Sequence, residues 1–203
     1  MATCRGARWS AVFLIGASLA ACVDAGVGPT VRQGPASVGV SLDATAYVGD
    51  TAVTTFTVSP SIGATYVAGP EELITFPAAS ICDPARSTYG PTEWDAPCAP
   101  ATSPITITSK VWRDPLGHRR VDFSPALRFV PTADPAQWVT LSIRDELAAL
   151  PGVVILYCAS ASTLACLDES LTDLTLTTHA DPTTGWVSRR IKHFSGYNVA
   201  ARQ

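Results

Sequence analysis

From about Val38 onward the chain alternates apolar and polar residues with a period of two, in short runs. Val38, Val40 and Leu42 alternate with small or polar neighbours. Thr51–Val58 is a Thr/Val/Phe run closed by Ser59-Pro60, and Leu73–Phe76 stops at Pro77. Ile105, Ile107 and Val111 alternate with Thr106, Thr108 and Lys110. Further runs cover Trp138–Ile143, Val153–Cys158, Leu174–Thr178, Trp186–Ile191 and Tyr197–Ala200. Short β-branched and aromatic segments, separated by Pro, Gly, Asp and Ser, predict an all-β, antiparallel β-sandwich over 38–203. The one helical-looking stretch, Arg144 to Leu150, ends at Pro151-Gly152 and has room for two turns at most.

Residues 82–104 break the alternation. Pro84, Pro91, Pro97, Pro100 and Pro104 fall in this stretch, together with Tyr89 and Trp94. Proline removes a ladder donor, so this density excludes regular strands and predicts a long loop. Two readings of Tyr89 and Trp94 stand side by side. They form a recognition surface for a protein or glycan partner, or they pack onto the sandwich and close one end.

The N-terminus has a different pattern. Arg5 and Arg8 precede an uncharged run, Trp9 to Leu19, and then small residues. That is the order of an export signal over 1–21. The run is about half the roughly 20 residues a membrane-spanning helix needs. Leu19-Ala20-Ala21-Cys22 resembles the lipobox of bacterial lipoproteins. The resemblance implies a diacylglycerol thioether on Cys22, cleavage before it, and acylation of the new amine, with palmitate as a typical chain. More than one acyl chain makes such an anchor stable. Residues 22–37, rich in Gly, Pro, Thr and Ser, then read as a lipidated Cys and flexible tether. The implied place is the cell envelope. Val23, not an Asp retention signal, favours the outer membrane in a Gram-negative host.

Charge and cysteine usage fit that address. Removing Arg5 and Arg8 from the 14 basic residues leaves 12 against 17 acidic ones. No basic patch interleaved with aromatics points to nucleic acid. The pairs Arg119-Arg120 and Arg189-Arg190 read as solvated strand faces. Beyond Cys22, the exported part holds Cys82, Cys98, Cys158 and Cys166, an even number suited to an oxidising compartment. Three connectivities are open. Cys82–Cys98 and Cys158–Cys166 are favoured because each closes a short local loop, the first within 82–104. No C-x-x-C pair supports zinc.

Three stretches carry a likeness to a known family: Ile74-Thr75-Phe76-Pro77-Ala78-Ala79, Pro104-Ile105-Thr106-Ile107-Thr108, and Phe123-Ser124-Pro125 with Leu127-Arg128-Phe129. Together they make Leu73 to Ala200 resemble the ZU-five domain, a β-sandwich of ankyrins, netrin receptors and some death-domain proteins. Ala79 stands where the family usually has Gly, and the Pro-rich loop is an insertion. The family serves mostly as interaction or spacer modules, which implies a non-enzymatic binding or structural role.

Some members of that family cut their own chain at His-Phe-Ser, between Phe and Ser. His193-Phe194-Ser195 matches this motif and is followed by Gly196-Tyr197. The resemblance implies attack of the Ser195 hydroxyl on the Phe194 carbonyl with His193 as base, an N→O acyl shift, and hydrolysis of the ester. Gly196 is placed to supply unusual backbone angles. The competing reading makes the segment a plain entry to the last strand. Nothing else points to chemistry. His118, His179 and His193 lack metal-ligand spacing, Asp83, Glu93 and Asp95 match no calcium loop, and no G-x-S-x-G or phosphate loop occurs. No cofactor or metal is expected. The sequence thus predicts a lipid-anchored, non-enzymatic envelope module, with self-cleavage at Phe194–Ser195 as the alternative.

Overall fold

The computed structural model describes residues 51–113, 119–159 and 166–202. Cys22, the leader over 1–21, the tether over 22–37, the strand expected at Val38–Leu42 and His118 lie outside the described residues. Eleven strands are described: β1 (Thr51–Val58), β2 (Ala64–Gly69), β3 (Glu72–Phe76), β4 (Ile105–Arg113), β5 (Arg119–Ser124), β6 (Thr140–Arg144), β7 (Val153–Cys158), β8 (Cys166–Leu167), β9 (His179–Asp181), β10 (Trp186–Arg190) and β11 (Gly196–Ala201). They form two antiparallel sheets. One has the order β1-β4-β5-β11-β7-β8 and the other β2-β3-β6-β10-β9. The chain is an all-β sandwich, as its alternation predicts.

The inward positions of both sheets fill one core. Phe56, Val58, Ile107, Val111, Val121, Phe123, Ile155 and Val199 come from the first sheet. Ile74, Phe76, Leu141, Ile143 and Val187 come from the second. In β3 every second residue is buried, and this register sends Glu72 inward along with Ile74 and Phe76. Burial pushes the Glu72 carboxyl up, and Arg119, 3.1 Å away, pulls only partly against it. Among the paired arginines, Arg189 is 1% exposed and Arg120 3%. They are therefore not the solvated faces the sequence predicts. Arg189 faces the core side with Val187 and donates to Ile155 O and Glu169, whereas Arg120 lies on the opposite face of its strand from Val121 and Phe123, covered by the Trp112 ring and Cys166 Sγ. A buried guanidinium persists only when its donors are met.

Two further expectations are corrected. Leu174–Thr178 is not a strand. Asp173 Oδ1 accepts from Thr175 N at 2.9 Å and nucleates a 3₁₀ turn over Leu174–Leu176. A side chain that bonds its own backbone two residues on competes directly with strand pairing. Arg144–Leu150 forms no α-helix either, only a 3₁₀ turn over Glu146–Ala149 capped by Asp145.

Both favoured disulfides are present, Cys82–Cys98 and Cys158–Cys166. The stretch between β3 and β4 contains no named strand or helix, in line with its prolines. Its base is closed by Asp83 N to Ala99 O and Ala101 N to Ile81 O, each 2.8 Å. A cross-link across a loop of this size stabilises by about 3 kcal/mol through the unfolded chain. At the end of β3, Ala79 has φ 58. This is the left-handed region, which favours glycine over alanine.

Candidate active site

His193-Phe194-Ser195 leads directly into β11, the strand held between β5 and β7. The chain bends at Ser195, just before β11. The His193 and Ser195 side chains meet each other, while Phe194 enters the core. The Phe194 ring is fully buried in the sandwich core. It stacks on Phe123 with centroids 4.5 Å apart and meets Phe76 and Phe129 edge-on at 6.0 and 5.2 Å. Its amide donates to Leu127 O at 2.7 Å.

Ser195 Oγ lies 3.2 Å from His193 Nδ1. His193 Nε2 faces Glu169 Oε1 at 3.5 Å. A proton on Nε2 satisfies Glu169 and leaves Nδ1 free to accept from the serine, the tautomer a base requires. Burial pushes the Glu169 carboxyl up, but the His193 hydrogen bond and the Arg189 charge outweigh it and hold the group below the usual carboxylate range. Glu169 thus stays ionised at neutral pH. Arg189 is itself fixed, with Nη1 donating to Ile155 O at 2.6 Å and Nη2 to Glu169. The result is a chain of polar groups, Arg189–Glu169–His193–Ser195, buried at Arg189 and His193 and half-buried at Glu169 and Ser195.

The Pro-rich loop covers this chain. Trp94 stacks flat on the His193 ring, with centroids 3.5 Å apart and planes at 16°. Tyr157 of β7 meets His193 edge-on at 5.0 Å. The Tyr89 hydroxyl donates to the carbonyl oxygen of Phe194, the residue whose peptide bond Ser195 follows. Tyr197 Oη donates to His193 O at 2.6 Å. Tyr89 and Trp94 therefore reach the His-Phe-Ser segment. Trp94 is used in packing, while Tyr89 keeps 44% of its surface exposed.

His193 is fully buried at the entry to β11 and is not a surface residue. Gly196 has no positive φ, contrary to the expected unusual angles. Its need is for space: a Cβ there would lie 2.9 Å from Cys158 O across the β11–β7 pair. The acidic residues of the loop are engaged separately. Asp83 accepts from Ala85 N, Glu93 from Thr88 Oγ1, and Asp95 from Lys192. His179, on β9, is exposed and takes no part in the site.

Sequence reasoning missed Glu169. It follows Cys166 by three residues and sits in the 3₁₀ turn Glu169–Leu171 capped by Asp168. That local signature marks a turn and says nothing of His193.

No protein-family model matches this chain, and neither a curated protein nor a solved structure is significantly similar to it. The site must be read from its own geometry.

Beside the site, Lys192 ties the strand entry to its surroundings. Its Nζ lies 2.6 Å from both Asp95 and Asp173. Burial pushes Asp173 up, yet hydrogen bonds from Lys192 and Thr175 outweigh it and bring the carboxyl from 3.8 to about 2. A depressed carboxyl pKa stabilises the fold above its unfolded value, and that stabilisation is lost as pH falls through the folded value. The contribution should therefore be complete above 3.8 and gone by about 2. Urea midpoints across this range should show wild type ahead of Asp173→Asn at the upper end and level with it at the lower. A gap that persists at the acid end contradicts this assignment.

Proposed function

We propose that this chain is an exported, lipid-anchored envelope protein whose β-sandwich cuts itself once, between Phe194 and Ser195. One observation carries the chemical part: Ser195 Oγ sits 3.2 Å from His193 Nδ1, with Glu169 behind the imidazole and a hydroxyl on the Phe194 carbonyl. A nucleophile, a base, a group orienting the base and a donor on the electrophile are the parts acyl transfer needs.

The steps follow from these positions. His193 Nδ1 takes the Ser195 hydroxyl proton as Oγ bonds to the Phe194 carbonyl carbon. The Phe194–Ser195 C–N bond then breaks, and His193 returns the proton to the departing Ser195 nitrogen. The product is an ester between Phe194 and Ser195 Oγ with a free amine. Water hydrolyses it to a Phe194 carboxylate and restores the Ser195 hydroxyl. No cofactor enters. Burial of Phe194 holds the carbonyl in place while the reaction proceeds.

After cleavage β11 remains paired on both edges, Gly196–Asn198 with β5 and Gly196–Ala201 with β7. Tyr197 and Val199 are fully buried. The two pieces therefore stay together as one sandwich. The leader, Cys22 and the two disulfides support export and anchoring, and the left-handed Ala79 supports the ZU-five likeness.

The test is the mass of the folded, oxidised full chain measured under denaturing conditions. Self-cleavage removes 195–203 from the main species. Hydroxylamine should speed the cut and leave a hydroxamate on Phe194, the mark of an ester. A chain that stays whole on prolonged incubation sinks this reading. It leaves the second one, a non-enzymatic envelope module binding a protein or glycan. Leu167, Leu171 and Leu174, exposed by 64%, 75% and 83%, favour that role as an apolar contact surface.

A further inference from the structure

We propose that Tyr89 is the oxyanion donor of the self-cleavage reaction and that the Cys82–Cys98 disulfide delivers it, so that the cut waits for oxidation of the chain. This rests on the self-cleavage reading and adds to it a catalytic residue and a condition.

The argument starts from the carbonyl under attack. When Ser195 Oγ adds to Phe194, negative charge develops on the Phe194 oxygen. A donor already aimed at that oxygen stabilises the charge without reorganising. The Tyr89 hydroxyl donates to this oxygen. Burial pushes Tyr89 up to about 12, so the hydroxyl keeps its proton at neutral pH and remains a donor. The amide of Phe194 is used by Leu127 O, and the Tyr197 hydroxyl by His193 O. Neither serves the developing charge.

Tyr89 sits 105 residues before Phe194 in the chain, on a segment without regular secondary structure. Its placement depends on how that segment is held. Beyond the Phe194 carbonyl, the Tyr89 ring meets His193 edge-on at 6.2 Å and its hydroxyl meets Ser195; the bonds of its chain neighbours are local, Ala85 N to Asp83 Oδ1, Arg86 N to Asp83 O, Thr88 Oγ1 to Glu93. Gly90, next in the chain, takes φ 155 to turn it back. Cys82 N donates to Arg128 O at the start of the loop, and further links to the sandwich lie later. Arg128 Nη1 donates to Glu93 O and Ala96 O, Asp95 meets Lys192, and Trp94 lies on His193. Tyr89 thus hangs between Cys82 and these later anchors. The Cys82–Cys98 bond closes the span at both ends, 5.6 Å apart at Cα. Opening it leaves the base of the span to the backbone bonds of Asp83 N with Ala99 O, Ala101 N with Ile81 O and Cys82 N with Arg128 O, and loosens the donor's placement on the carbonyl.

Thiols stay reduced where an exported chain is made and pair after export. A cut conditional on the staple therefore spares the precursor and acts on the exported, folded domain. It keeps β11 covalently attached until the sandwich has formed around it.

The experiment uses the full chain synthesised cell-free in the presence of a thiol reductant, then divided between reductant and oxidised glutathione. Loss of 195–203 is followed by denaturing mass spectrometry. The reduced chain should remain whole and the oxidised chain should cut. Tyr89→Phe, with both disulfides verified by peptide mapping and an unchanged near-ultraviolet circular dichroism spectrum, should cut about 10²–10³-fold more slowly, the usual cost of removing one oxyanion donor. Hydroxylamine should not rescue it, because hydroxylamine acts after the acyl shift. A Cys82→Ser/Cys98→Ser variant that keeps the native spectrum should be slowed as well. Should that variant fail to fold, Tyr89→Phe alone carries the test. Equal rates for reduced and oxidised chains, or for Tyr89→Phe and wild type, overturn the inference while self-cleavage stands. An oxidised wild-type chain that never cuts removes self-cleavage itself, and this inference with it.

Discussion

Ser195→Ala should leave the chain whole at every time point at which wild type has lost residues 195–203. The expectation follows from the role of the atom removed. Ser195 Oγ receives the acyl group, so its loss closes the path and does not merely slow it. Stability should change little. The serine hydroxyl meets His193 at 3.2 Å and also the Tyr89 and Tyr197 hydroxyls, and each hydrogen bond of this kind contributes about 0.5–1.5 kcal/mol. Ser195→Cys should cut again, because a thiolate accepts an acyl group from the same position and the product thioester hydrolyses. Intact mass separates all three chains. Cleavage of Ser195→Ala at the wild-type rate points to a contaminating protease and ends the self-cleavage account.

Phe194→Ala carries the largest expected loss of stability, about 3–5 kcal/mol. Phe194 is fully buried and touches Phe76, Phe123 and Phe129 with centroids between 4.5 and 6.0 Å. Truncation removes the transfer energy of the ring and leaves a cavity between the two sheets, which an antiparallel sandwich closes only partly. The measurement belongs in the Ser195→Ala background, where the chain is continuous and unfolding is unimolecular. Urea midpoints with an unchanged slope give the difference. A shift below about 1 kcal/mol contradicts the packing described, since that is the range of surface substitutions. With Ser195 restored, Phe194→Ala should also slow the cut, because the ring fixes the carbonyl that Ser195 attacks.

These two residues show why part of this site is legible in one dimension. His193, Phe194 and Ser195 are consecutive, so the motif is visible in the chain itself. The sandwich is legible for the same reason, since a period of two in apolar residues is a local property. So are the disulfides, whose partners are 16 and 8 residues apart. The 3₁₀ turn at Leu174–Leu176 is where the local pattern misleads. An apolar run suggests a strand, and one aspartate bonding its own backbone redirects it. The buried Arg189 misleads in the same way. A charged pair on a strand predicts solvent, and only a partner from elsewhere reverses the expectation.

By itself the sequence determined the all-β class, the Pro-rich stapled loop and the His-Phe-Ser segment at the entry to the last strand. Each rests on residues close together in the chain. Tertiary structure alone decided what surrounds that segment. Glu169 reaches His193 from 24 residues away, and Tyr89 reaches the Phe194 carbonyl from 105. Such contacts depend on sheet order, on the register of β11 against β7, and on a loop folded back by its disulfide. Strand periodicity states which face a side chain takes; it is silent on which distant residue will meet it there.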